Sequence, residues 1–380
     1  MLLKNFIHKN IMQIPFINLS KEAEYFLPEL LENTEKVLKS GMYINGPNVE
    51  KLEKNLRNYF QVKHVITVGN GSDALTFILK SLGILPGDEI ICPANSFIAT
   101  SWSIVAAGAK PVFCDVREDL LLDINDFKKK VTSKTKAILP VHLTGRVFNT
   151  EEIAEFCKDN NIEIVEDAAQ SFGAINENGK KTGSLGIAGA FSLHPLKNFA
   201  IYGDGGIITT NSSEIAKKCL LLRNHGLKNR DEASIWGFNS RLDELQASYA
   251  LVKLPHIENL TKRYIEIAKY YDKHLTNEIK KPLIRESFRD VYHNYVILVP
   301  SKIRDSIMQK LLDCGIETKI HYPIPLHMQE CAFNLNYQIG DIPKAELFAK
   351  SMISLPIYPG LKEEELCYIV DQFNDLYKKY

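Results

Sequence analysis

The 380-residue sequence has no excess of charge of either sign: 46 Lys plus Arg stand against 46 Asp plus Glu. That balance offers no basic surface to a nucleic acid and no charged tail to a membrane. Cysteine spacing of the metal-binding or redox kind is also missing. The seven cysteines, at 92, 114, 157, 219, 314, 331 and 367, form no CxxC pair and no group with histidines. Several lie inside apolar runs, so they read as reduced, buried thiols of a cytoplasmic protein without a metal site. The start, MLLKNFIHKNIMQIPFINLS, is broken by Lys, Asn and His. It has neither the pattern of a signal peptide nor the ~20 apolar residues of a membrane span. Residues 1–11 read as an extension ahead of Met12. There is no internal repeat and no low-complexity tract. No Walker-type GK[ST] follows the glycines at 69–71, and no GxGxxG follows a first strand, which argues against a nucleotide-binding P-loop and a Rossmann oxidoreductase.

What is present is an alternation. HVITV (64–68), DEIIC (88–92), KPVFCDV (110–116), TKAILPV (135–141) and IEIVE (162–166) are short β-branched runs, and helical stretches follow them. Continuous apolar strands alternating with helices predict an α/β fold with a mainly parallel central sheet flanked by helices. After about residue 255 the alternation gives way to charged amphipathic helices at 256–276, 301–315 and 362–378, enclosing a few strands such as YHNYVILV. We therefore expect a large domain over 1–255, with an N-terminal helix and loop in 1–60, and a smaller α+β domain over 256–380, joined by a helix near 240–265.

Ligands of such sheets bind beyond the carboxyl ends of the strands. The segments there are GNGSD (69–73), PANSF (93–97), HLTGR (142–146), DAAQ (167–170) and, after AGAFSL, HPLK (194–197). Gly71 and Ser72 open a helix whose free N–H groups suit a phosphate, or form an ordinary helix cap. Phe97 could stack on a flat heterocycle or fill the core. Asp167, directly after an apolar strand, needs a cationic partner or serves as a cap; a protonated ring nitrogen would be such a partner, with Gln170 beside it. Lys197 stands in SLHPLKNFAIYGDGG (192–206). A lysine in a confined polar loop can lose its proton and bond covalently to an aldehyde.

As an ordered set, SLHPLKNFAIYGDGG, the EDAAQ of Glu166–Gln170, the GSDAL of Gly71–Leu75, the RNHG of Arg223–Gly226 and the GFNSRLDELQA of Gly237–Ala247 resemble the DegT/DnrJ/EryC1/StrS family of pyridoxal-phosphate-dependent sugar aminotransferases. The resemblance runs from about residue 16 to 375 and implies the fold-type I architecture. It implies that Lys197 carries pyridoxal 5'-phosphate covalently and moves the proton, and that Asp167 pairs with the pyridinium nitrogen. Gln170 would contact the phenolic oxygen, Phe97 would stack on the ring, and Gly71, Ser72 and Ser192 would hold the phosphate. Asn239 would reach the cofactor phosphate of a neighbouring subunit, implying a homodimer with shared active sites, and Arg241 lies in the same loop. The amino donor would be L-glutamate, released as 2-oxoglutarate, and the acceptor a nucleotide-linked keto-deoxysugar used in amino-sugar or surface-polysaccharide biosynthesis. ETKIHYPIPLHMQ (317–329) resembles members that aminate C-3 rather than C-4, with His327 expected to meet the sugar or nucleotide, and Tyr43 and Asn45 are further substrate-contact candidates. Leu196 and the Ser171–Phe172 pair depart from the family pattern. The alternatives are a sugar dehydratase, which would carry histidine at the lysine position, and a non-catalytic cofactor-binding regulator.

Overall fold

The computed structural model describes residues 12–380; the extension expected over 1–11 lies outside them. Seven strands form one sheet: β1 (His64–Val68), β2 (Glu89–Pro93), β3 (Lys110–Cys114), β4 (Thr135–Ile138), β5 (Glu163–Asp167), β6 (Ala188–Ser192) and β7 (Gly206–Thr210), in the order β1-β7-β6-β5-β4-β2-β3. The pairs β3/β2, β2/β4, β4/β5 and β5/β6 are parallel. β7 runs antiparallel to both β6 and β1. Reversing direction at β7 and again at β1 leaves β1 pointing the same way as β6. Six of the seven carboxyl ends thus share one edge, and the polar segments picked out above converge there.

Four helices set up that edge. α1 (Leu19–Ser40) and α2 (Pro47–Phe60) precede the sheet, α3 (Gly71–Ser81) follows β1 and α4 (Ile98–Ala107) follows β2. α3 starts where it does because the Asn70 side chain accepts the Asp73 N–H at 2.8 Å, which frees the chain to turn from strand to helix. α4 is apolar apart from Thr100, Ser101 and Ser103 and stops at Gly108, whose φ of 102° no other residue type adopts cheaply. The sheet's strands are buried, and Val68, Ile90, Ile91, Cys92, Ile138, Val165 and Ala190 share one core with Phe77 and Ile104 from the helices.

α2 has a cap supplied from far away in sequence. The Glu244 carboxylate, 1 % exposed, accepts the N–H groups of Gly46 and Val49 at 2.9 Å and of Asn48 at 2.8 Å. A negative charge thereby meets the positive end of the helix and three of its otherwise unbonded donors. Glu244→Ala is expected to cost about 3 kcal/mol, because it leaves those donors buried and unpaired, with a melting point several degrees lower; Glu244→Gln should recover part of the loss.

Past residue 243, Glu244–Lys253 is helical, Leu254–His256 tightens into a 3-10 turn at Pro255, and Ile257–His274 continues as a helix. The expected single connecting helix is therefore two, since Pro255 has no N–H to carry the helical ladder through. The second unit contains β8 (Tyr295–Leu298) and β9 (Met352–Leu355), an antiparallel pair, with helices Ser301–Asp313, Pro343–Ser351 and Glu363–Tyr377. Ile14 joins its core: Ile14 N–H donates to Gly315 O at 2.8 Å and Ile14 O accepts from Glu317 N at 3.0 Å. The segment 12–17 is thus stitched to the unit we propose to begin near residue 256.

Candidate active site

A cavity of about 760 Å³ opens at the shared carboxyl edge. Asn70, Gly71, Ser72, Phe97, Thr100, Asp167, Gln170, Ser192 and Lys197 all line it. β1 delivers the glycine turn, β2 delivers Phe97, β5 ends on Asp167, and β6 ends on Ser192, five residues before Lys197. Gly71 and Ser192 lie against each other: a Cβ on Gly71 would come within 2.8 Å of Ser192 Cβ, so the helix start must be glycine for this approach. Asp73 is already committed, accepting from Asn70 Nδ2 at 2.9 Å and Ser240 Oγ at 2.6 Å. Gly69 N–H donates to the same Ser240 hydroxyl. This bracing fixes the glycine turn while leaving the first N–H groups of α3 facing the cavity's anion end.

Asp167 is 5 % exposed. Its backbone is tied on both sides, N–H to Pro140 O at 3.0 Å and carbonyl to His142 N at 3.1 Å. Its carboxylate accepts Thr100 Oγ1 at 2.7 Å and the Ala169 N–H at 3.2 Å. Burial pushes its pKa up, and these two donors, then Lys197 and His142, oppose that. Lys197 fronts the cavity, and no carboxylate among the described residues lies within ion-pairing distance of it. Burial lowers its pKa, and Asp167 across the cavity opposes the shift without cancelling it. A depressed lysine beside an unneutralised carboxylate is a nucleophile facing a seat for a cation. Gln170 is held at both ends: Oε1 accepts the Thr144 N–H at 2.7 Å and Nε2 donates to Tyr322 Oη at 3.1 Å. One Nε2 hydrogen is left to point elsewhere.

Behind Asp167 the Glu166 carboxylate is fully buried and accepts from Gly183, Leu185 and Gly186 N–H groups and pairs with His142 Nε2 at 2.9 Å. Since His142 Nδ1 accepts the Phe148 N–H, the ring's proton sits on Nε2, facing Glu166. This network locks the end of β5.

The second unit closes the cavity with Tyr264, His293, Asn294, His321, Tyr322 and Ile357, and the N-terminal segment adds Phe16 and Ile17. Burial first, and Lys197 second, lower both histidines, His321 to about 4 and His293 well below its usual range. Both rings are neutral at pH 7. Their linkage is one-sided. Above the ordinary histidine value of 6.5 neither state gains a proton. As pH falls from there towards 4, the unfolded chain takes up protons that the folded chain refuses, so stability falls. Urea titrations at pH 7.5 and pH 5 should give a smaller free energy at pH 5, and His321→Asn should shrink that difference.

Other expected site residues lie elsewhere. His327 does not reach the cavity. It is 2 % exposed, sits in the turn Leu326–Met328, and bonds Glu346 Oε1 through Nε2 at 3.2 Å, packed near Phe113 and Tyr337. Leu326 N–H is anchored on Ala94 O, and this turns His327 inward, so His321 and Tyr322 of the same stretch face the cavity instead. Tyr43 and Asn45 are exposed outside it. Asn239 is exposed, and Arg241 donates to Asn224 Oδ1 at 2.7 Å; neither lines the cavity of its own chain. Thr100, Thr144, His293 and Tyr322 were not foreseen. Thr100 lies one helical turn after Phe97, and Thr144 lies within the HLTGR segment beyond β4.

The residues suit pyridoxal phosphate: an anion-binding helix start, a buried carboxylate for a ring cation, a nearby aromatic, and a depressed lysine on one cavity. A doubly covered, mainly parallel sheet carrying this set at its carboxyl edge defines a pyridoxal-phosphate-dependent enzyme of the fold-type I kind. The chain belongs to the DegT/DnrJ/EryC1/StrS aminotransferase family, whose model matches residues 27–374. It is 40% identical over 97% of its length, and 100% of the other protein, to a "pleiotropic regulatory protein" of Geobacillus stearothermophilus. It is 39% identical, over 95% of its length and 99% of the other's, to the dTDP-3-amino-3,6-dideoxy-alpha-D-galactopyranose transaminase of Aneurinibacillus thermoaerophilus. NtdA of Bacillus subtilis, solved with bound cofactor PMP, superposes with a TM-score of 0.91 at 30% identity, covering 98% of this chain and 86% of that one. Pyridoxal phosphate is the cofactor. Among the described residues no helix is long and apolar enough to cross a membrane, and no group of residues forms a metal site.

Proposed function

We propose that the protein transfers the amino group of L-glutamate to the C-3 keto group of a nucleotide-linked keto-deoxysugar, in two half-reactions at one site. The observation that carries this reading is Lys197, depressed by burial and facing Asp167 across the cavity. When bound, pyridoxal phosphate supplies an aldehyde that takes the amino group and a ring that draws electrons from the reacting carbon. Asp167 stays ionised and keeps the ring nitrogen protonated. Gln170, held by Thr144 and Tyr322, has one N–H left that would serve the phenolic oxygen. Gly71, Ser72 and Ser192 would hold the phosphate, and Phe97 is the aromatic that would pack on the ring. Lys197 Nζ would hold the cofactor at rest and, when free, would serve as the base that moves the proton at the reacting carbon.

Phe16, Ile17 and Ile357 give the cavity an apolar wall that suits a deoxysugar. The C-3 assignment rests on the HYPIPLH stretch and on likeness to the Aneurinibacillus transaminase. Asn239 and Arg241, outside their own cavity, fit a role at the site of the partner subunit in a homodimer. The regulator reading has in its favour the likeness to the Geobacillus protein, whereas a dehydratase of the histidine-bearing kind is opposed by Lys197. Holoenzyme mixed with L-glutamate should lose its visible cofactor band, and 2-oxoglutarate with a nucleotide 3-amino-sugar should restore it. A band unmoved by any amino donor would overturn the transaminase reading in favour of the regulator. Restoration only by 4-amino-sugars would overturn the C-3 assignment.

A further inference from the structure

Asp167 must remain an anion in a place where burial opposes it, and the first turn of α4 bears on that. Thr100 is 1 % exposed and its Oγ1 donates to Asp167 Oδ2 at 2.7 Å. Ser96, 3 % exposed, lies with its Oγ 2.7 Å from the same Thr100 Oγ1. An ionised carboxylate has no proton to give, so Thr100 must spend its only hydrogen on Asp167. Ser96 must then donate to Thr100. The direction of the whole chain, Ser96 to Thr100 to Asp167, follows from the charge at its end.

We propose that Thr100 is a positioning residue for the cofactor ring, and that the buried Ser96–Thr100 hydroxyl pair holds the Asp167 carboxylate ionised and aimed at the ring nitrogen. The inference rests on the assignment of Asp167 to that nitrogen made above. Two further features support it. Thr100 lies one helical turn after Phe97, so one turn of α4 sets both the aromatic beside the ring and the anion at its nitrogen, and a shift of α4 moves both together. Thr100 supplies the one side-chain hydroxyl on a carboxylate whose other hydrogen-bond donor is the Ala169 N–H. The other titratable groups facing Asp167 are Lys197 from beyond β6, His142 from beyond β4, Cys92 from β2 and Tyr322 from the second unit. Burial raises both Cys92 and Tyr322, so neither adds a charge at neutral pH. Lys197 Nζ would be taken up in attaching the cofactor, and it donates no hydrogen bond to Asp167. Thr100 and Ala169 then remain as the donors that keep Asp167 an anion on the protein side.

The test uses the holoenzyme and its Thr100→Val, Thr100→Ser and Ser96→Ala variants, with three readouts. The first is the dissociation constant for pyridoxal phosphate, followed by fluorescence. The second is the rate at which L-glutamate bleaches the cofactor band, and the third is the pH dependence of that rate. Loss of one hydrogen bond to a buried charge corresponds to about a tenfold to hundredfold effect. Thr100→Val should weaken cofactor binding and slow bleaching by factors in that range. Its acid limb should move to higher pH, because the carboxylate now takes up a proton more readily, while KM for glutamate should change little. Thr100→Ser should restore all three. Ser96→Ala should move them in the same direction by less, and it carries the test if Thr100→Val does not fold. A Thr100→Val enzyme with wild-type cofactor affinity and an unmoved acid limb would overturn the proposal. So would a Ser96→Ala enzyme with an effect equal to that of a misplaced helix, lowering melting point and cofactor binding together without moving the limb. Cofactor affinity is read without any sugar, so failure of the transamination reading would leave the binding shift intact, whereas failure of this proposal removes the shift and leaves turnover.

Discussion

Lys197→Ala is expected to lower the glutamate half-reaction about 10,000-fold or more and to abolish covalent attachment of the cofactor. Two tasks fall on the same atom. On the proposed function Nζ would hold the cofactor aldehyde at rest and would carry the proton during the reaction, a role worth about 100- to 10,000-fold by itself. No other side chain duplicates it. The nearby His293 and His321 are neutral, which would let them accept a proton, but burial makes them very weak bases. Borohydride treatment followed by mass measurement should add the cofactor mass to the wild type alone. The alanine should fold normally, since Lys197 makes no ion pair that its loss would break. Retained turnover would reassign the proton transfer.

Asp167→Asn is expected to leave the fold intact and lower the same rate about 1,000-fold, because an amide of equal shape cannot balance a buried cation. The backbone bonds to Pro140 and His142 do not involve the side chain, so β5 should end where it does now. Thr100 would still find an oxygen to donate to. The separation between folding and rate is the useful feature: equal melting curves of the apo proteins with a thousandfold slower bleaching would tie the loss to charge. A rate within tenfold of wild type would mean that the ring nitrogen does not depend on Asp167.

The convergence on one cavity was readable from sequence because it rests on a local rule. Gly71, Phe97, Asp167 and Ser192 each stand at or just beyond the carboxyl end of a strand, and strands of β-branched residues announce where they end. A chain that alternates strand and helix must bring those ends to one edge. Nothing comparable governs the second unit. In HYPIPLH the two prolines and the anchoring of Leu326 on Ala94 decide which histidine faces inward, and that anchor lies more than 200 residues away. The sequence reading selected His327, whereas His321 faces the cavity. Tyr322 was missed for the same reason, since its bond to Gln170 is made across units, whereas Thr144 stands within HLTGR, a segment placed at the carboxyl edge without that residue being singled out. Glu244 as the cap of α2 was likewise invisible, since a glutamate some 200 residues beyond a helix start carries no local mark.

The pairing of Ile14 with residues 315–317 bears on how the protein is made. Phe16 and Ile17, which wall the cavity, follow a segment whose hydrogen-bond partners are synthesised some 300 residues later. On the ribosome the sheet can assemble while that segment waits, since its partners do not yet exist, and closing so long a loop is entropically costly and slow. The cavity therefore gains its last wall only after nearly the whole chain has been released. A nascent chain halted before residue 315 should hold a formed sheet edge with Lys197 and Asp167 in place, yet lack the wall against which a sugar would rest.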